Sequence, residues 1–222
     1  MTMQDVWLWW SSGKDSAWTL HTLRQDARYR VTRLVTTLNG AAERVAMHAV
    51  RRSLLDAQAA SVGVPLEAVD LPFPCTNDDY LAAVRPVIDR AAREGVTAMA
   101  FGDLFLEDVR DYRISLFDDT PIEPIFPLWG EPTDRLARTM LDAGLRAHVT
   151  CVDPSVLPSD FAGRPYDSEL LAALPSGVDP CGENGEMHTF VHEGPIFARP
   201  IDVEPGEIVE RDGFVFADLT LA

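Results

Sequence analysis

Lysine is almost missing from this 222-residue chain: of its 19 basic residues only Lys14 is a lysine. A sequence that uses arginine everywhere else and lysine once marks that position as one suited to a compact, flexible point charge, with codon usage as the plain alternative. Basic charge is scarce as a whole. Against 35 acidic residues the formal net charge is −16, and such a surface repels a nucleic-acid backbone, so DNA and RNA are not expected partners. Cysteine is sparse and unpaired. Cys75, Cys151 and Cys181 show no CxxC spacing, which argues against a disulfide framework and for reduced thiols in a cytoplasmic setting. Long hydrophobic runs are absent too. The apolar start, Val6 to Trp10, stops at Ser11 without a preceding basic stretch, well short of the roughly 18 residues that a membrane span needs. Neither a membrane partner nor an export signal is expected.

What is present is a globular composition, with 46% hydrophobic and 24% charged residues, enough to bury a sizeable core. Apolar runs at Val6 to Trp10, Val31 to Leu38, Val64 to Leu71 and Val96 to Phe101 read as strands. They alternate with helical spacings after Lys14, from about Arg44 to Ser61, and from a cap at Asn77 or Asp78 to Gly95. Such alternation predicts βαβ units and an α/β fold with a doubly wound parallel sheet. Beyond Gly102 the regularity weakens. A helix is expected over Thr133 to Ala143, a strand over Arg146 to Val152, a helix near Asp167 to Leu174, and short antiparallel strands in the tail. We therefore expect a nucleotide-binding domain over residues 1–130 and a smaller α+β subdomain over 131–222, the latter carrying substrate contacts.

Ser11-Ser12-Gly13-Lys14-Asp15-Ser16 falls between the first strand and the first helix. There the free amides and partial positive charge of a helix N-terminus favour an anion, and phosphate is the natural one. Gly13 lets backbone approach closely, Lys14 can reach a phosphate oxygen, the serine hydroxyls can donate, and Asp15 can hold Mg²⁺. The order matches neither a Walker loop nor GxGxxG. An ordinary capped polar turn is the alternative.

The hexapeptide resembles the SGGxDS pyrophosphate loop of the N-type ATP pyrophosphatases, with Ser12 where that pattern has its second glycine. Three further segments resemble the diphthine-ammonia ligase branch of that superfamily: Phe101 to Arg113, Pro127-Leu128-Trp129, and Asp179 to Thr189 with its GENGE-x-HT signature. The resemblance implies strand order 3-2-1-4-5. A ligand then binds at the topological switch, where the ends of strands one and four bring Ser11 to Ser16 beside Gly102 and Asp103. Asp103 can hold a metal or orient a nucleophile, while Arg110 and Arg113 can pair with phosphate or a substrate carboxylate. Glu107 and Asp108 read as a solvated helix start. The resemblance further implies adenine or ribose contacts at Thr36 and Thr37, and substrate contacts at His48 and Arg51.

In the carboxy-terminal signature, Gly182 and Gly185 permit turns that aim Glu183 and Glu186 at one point, with His188 beside Glu186 if the latter opens a strand. Proton transfer or ammonia binding is the expected use. The five tryptophans read as core, with Trp129 near the cleft. Together these residues imply ATP and Mg²⁺ as cofactors, and a ligase that adenylates a substrate carboxylate, releases pyrophosphate and transfers ammonia to form an amide. The expected partners are ATP, ammonia and a small or protein-borne carboxylate acceptor, with a homodimer compatible. Sulfur transfer through the cysteines and a non-catalytic ATP sensor are the competing readings.

Overall fold

The computed structural model describes residues 3–39, 44–45 and 50–222. The first half builds one sheet. Its strands are β1 (Gln4–Trp9), β2 (Tyr29–Asn39), β3 (Arg44–Val45), β4 (Leu66–Leu71), β5 (Ala98–Ala100) and β6 (Glu123–Ile125). Five of them form a parallel ladder in the order β4-β2-β1-β5-β6, which is 3-2-1-4-5 when parallel strands alone are counted. The expected doubly wound α/β sheet is thus observed. The connecting helices are α1 (Lys14–Gln25), α2 (Arg52–Val62), α3 (Asn77–Arg93) and α4 (Glu107–Ser115).

β1 explains itself from sequence. Val6, Trp7 and Leu8 are all essentially inaccessible, since a central parallel strand is covered on both faces and reads as a continuous apolar run. Val6 and Leu8 face one cluster with Leu20, Leu34 and Leu54, and Trp7 faces another with Val35, Ile88 and Met99.

Two local expectations need correction, and one strand was not foreseen. The helix expected from Arg44 begins only at Arg52, because Arg44 and Val45 pair antiparallel with Asn39 and Leu38. The cap of α3 is Thr76, whose hydroxyl accepts from the Asp79 amide while the Asp79 carboxylate accepts from the Thr76 amide. This reciprocal box outweighs a lone Asn or Asp cap. Finally, the proline-punctuated stretch after Thr120 holds β6, where Pro124 is tolerated because the strand lies at the sheet edge.

The second half supplies α5 (Thr133–Asp142), α6 (Ser168–Ala173) and an antiparallel sheet of β7 (Arg146–Val152), β8 (Met187–Glu193), β9 (Val203–Arg211) and β10 (Phe214–Leu221) in the order β8-β7-β10-β9. This is the α+β element expected at the carboxy terminus. Its Val149, Phe190 and Val191 join the same apolar cluster as Leu8 and Leu20, so β8 lies directly against the start of α1. Among the described residues no helix is long and apolar enough to cross a membrane.

Candidate active site

Ser11 to Ser16 leaves β1 at the carboxyl edge of the sheet and enters α1 through Gly13 as its cap residue. Ser12 takes φ 70°, the left-handed region that glycine occupies most easily. The loop is held in this shape by β8: the Val191 amide donates to the Ser12 carbonyl at 3.0 Å, and the Lys14 amide donates to Thr189 Oγ1 at 3.1 Å. From α2, the buried Gln58 amide donates to both the Ser12 and Val191 carbonyls, and its Oε1 accepts from Trp10 Nε1.

Lys14 is buried, its Nζ bonded to Asp15 Oδ2 at 2.8 Å and to the Cys181 carbonyl. Burial works against the ammonium, but the combined pull of Asp15, Cys181 and Asp179 outweighs it and holds the pKa above the ordinary lysine value. Lys14 therefore stays charged. Burial raises the Asp15 carboxyl, against the opposing pull of Lys14, and Asp15 Oδ1 has no hydrogen-bond partner.

β5 ends beside this loop. Gly102 sits so close to α1 that a Cβ there would meet the Asp15 backbone and Thr19 Oγ1 at 3.1 Å. Asp103 follows, its carboxyl pushed up by burial and drawn down in part by Arg113, whose Nε lies 3.7 Å away. Arg113 also stacks over Phe101 and donates to the Tyr80 hydroxyl.

The third wall comes from the carboxy-terminal half. Gly182, at φ 68°, turns the chain after Cys181, and the Glu183 amide donates to Asp179 Oδ2. Glu183 then reaches across to accept from the Leu104 amide at 2.6 Å. Burial pushes its carboxyl up to about 7 against that hydrogen bond, helped by Asp15 and Asp103. His188 on β8 is pushed down to about 4, chiefly by burial and also by Lys14, so it is neutral near pH 7. The three walls enclose a cavity of about 230 Å³ lined by Ser11, Gly13, Lys14, Asp15, Ser16, Gly102, Asp103, Arg113, Glu183 and His188, among others.

Two family models cover most of the sequence. The diphthamide synthase N-terminal domain matches residues 3–116 and the diphthamide synthase C-terminal domain matches residues 132–218. The chain belongs to the diphthamide synthase family. It is similar to diphthine–ammonia ligases of Bos taurus (26% identical over 146 residues, 63% of this chain and 53% of that protein) and of Homo sapiens (26% over 166 residues, 70% and 60%). The protein of that name from Mus musculus is 28% identical over 166 residues, again 70% of this chain and 60% of that protein. The chain thus spans a little over half the length of the curated relatives it matches. The N-terminal domain model covers Ser11 to Ser16 and Asp103, and the C-terminal domain model covers Glu183 and His188.

Not every expected residue reaches the cavity. Glu186 is buried just before β8, and its Oε1 accepts from the Asp179 amide and from Asn184 Nδ2. It shapes the turn, and the expected convergence of Glu183 and Glu186 is not seen, because the Glu186 carboxylate is held by Asp179 and Asn184 while Glu183 turns to the Leu104 amide. Arg51 caps α2 and pairs with Asp218 of β10, along a separate groove with Arg211 and Phe216. Arg110 stacks on Trp129 and Phe126 outside the lining. Ser12 and Thr36 are buried and, like Thr37, line no part of the cavity. His48 lies outside the described residues. Trp9, expected as core, lines the cavity together with Phe101, whereas Trp129, expected near the cleft, does not.

Sequence reasoning missed Gln58, and it gave Thr189 a place in the carboxy-terminal signature but no role. A polar residue four positions after Leu54, on the apolar stripe of α2, was the available signal for Gln58. Cys181 lines the cavity as well, but burial pushes its thiol up to about 12, which leaves it protonated and a poor sulfur carrier.

Proposed function

We propose that this chain is an ATP-dependent ligase that joins ammonia to a carboxylate to form an amide, a reading in line with relatives that are named diphthine–ammonia ligases. One observation supports this reading most: the phosphate-type loop and the Glu183 turn, far apart in sequence, line one cavity. A pure nucleotide sensor has no use for the second wall.

On this reading a carboxylate oxygen of the acceptor attacks the α-phosphorus of ATP and pyrophosphate leaves. The lone pair of ammonia then attacks the acyl carbon of the adenylate, AMP departs, and the surplus proton passes to the Glu183 carboxylate. Glu183, at about 7, is better matched to that transfer near neutrality than His188 at about 4. The Lys14 ammonium and the amides of Asp15 and Ser16 at the start of α1 hold the pyrophosphate, and little else is asked of the protein beyond positioning and charge stabilisation.

Asp15 Oδ1 and Asp103 Oδ2 are buried acceptors with no hydrogen-bond partner, and both residues line the cavity. They fit a hard divalent cation and would hold Mg²⁺, which when bound neutralises phosphate charge. Among the described residues no group of three or more candidate ligands is arranged to hold a metal.

The test is to incubate the protein with ATP, Mg²⁺, ammonium and a cell extract. Extract-dependent AMP and pyrophosphate are expected, and ADP with phosphate refutes the reading.

A further inference from the structure

We infer that Tyr166, which belongs to neither the phosphate loop nor the GENGE signature, is a positioning residue for Lys14. Its side chain is 1% exposed. Its amide donates to the Ala147 carbonyl of β7, which anchors it to the carboxy-terminal sheet. From there the ring lies 5.7 Å from Lys14 Nζ, and the hydroxyl donates to the Pro180 carbonyl at 2.8 Å. The next carbonyl along, that of Cys181, is one of the two hydrogen-bond acceptors of Nζ.

A lysine ammonium on four rotatable bonds has no preferred place of its own. Here Asp15 fixes it from within the loop, the Cys181 carbonyl fixes it from the facing turn, and the aromatic face closes the third side. A ring face attracts a desolvated cation, so Tyr166 acts on Nζ directly through its ring and indirectly through the turn its hydroxyl holds. The inference rests on the reading of Ser11 to Ser16 as a phosphate loop, in which the place of that one charge decides how well pyrophosphate is gripped.

Calorimetric titration with inorganic pyrophosphate, ATP and adenosine separates these claims. Tyr166→Leu is expected to weaken pyrophosphate and ATP by about tenfold and leave adenosine unchanged. Tyr166→Phe keeps the ring and loses only the hydroxyl, and is expected to lose about threefold. In a Lys14→Met background both changes should add no further loss. Wild-type affinity for pyrophosphate in Tyr166→Leu, or an equal loss with and without Lys14, overturns the inference. Should Tyr166→Leu not fold, Tyr166→Phe carries the same test, and an unchanged affinity or a loss that persists without Lys14 overturns it. A wild-type protein that binds neither pyrophosphate nor ATP overturns the phosphate-loop reading itself. Wild-type binding with an indifferent Tyr166 overturns only the role of the tyrosine.

Discussion

Ser12 carries a side chain at a position whose backbone asks for none. Its φ of 70° is strained for any residue with a Cβ, and its buried Oγ finds no hydrogen-bond partner. Ser12→Gly is therefore expected to raise stability by about 1 kcal/mol in urea unfolding, with ATP affinity retained. Glu183 shows the opposite pattern, a side chain kept at a cost. Its carboxyl rises from an ordinary 4.5 to about 7 in the folded protein, so between these values the folded chain holds a proton that the unfolded chain has released. The stability this group contributes is complete below about 4.5 and is lost as pH rises through about 7. Glu183→Gln should gain stability relative to wild type between pH 5 and pH 8, while amide formation in the wild type rises through about 7 and is severely slowed in the variant. Glu186→Gln, which keeps the Oε1 that accepts from Asp179 and Asn184, should stay close to wild type in rate. Single residues were legible where chemistry was unusual: Lys14 by its rarity and Asp103 by its place after a strand. Arg51 was not, since nothing local shows that its partner is Asp218, 167 positions away.

At the scale of elements, continuous apolar runs reveal the sheet because each central strand must be buried on both faces. It fails where pairing is non-local. Arg44 and Val45 share helical spacing with the residues after them, and only the register with Leu38 and Asn39 makes them strand. The turn from Cys181 to Met187 is an element defined by close approach. A Cβ at Gly182 would lie 2.7 Å from the Met187 carbonyl oxygen, and its φ is 68°. Gly182→Ala is accordingly predicted to cost about 2 kcal/mol or more in urea unfolding and to displace Glu183 from the Leu104 amide. An unaltered midpoint together with full ATP turnover would show that the turn has slack.

For the whole molecule, the central feature is that β8 and the GENGE turn hold the Ser11 to Ser16 loop in place through Thr189, Val191 and the Cys181 carbonyl. The order of motifs along the chain does not by itself show that the two halves meet. The contacts by which they do so, including Gln58 between them, depend on packing that one-dimensional spacing does not encode. If both walls serve one reaction, ATP cleavage and nitrogen transfer must be coupled one to one. The direct measurement is turnover with ATP, Mg²⁺ and ¹⁵N-ammonium in the presence of a cell extract, following phosphorus products and label incorporation together. The account predicts AMP, pyrophosphate and a ¹⁵N-amide in equal amounts. Nucleotide cleavage that yields ADP and phosphate, or AMP formation that proceeds fully without label entering an amide, would contradict it.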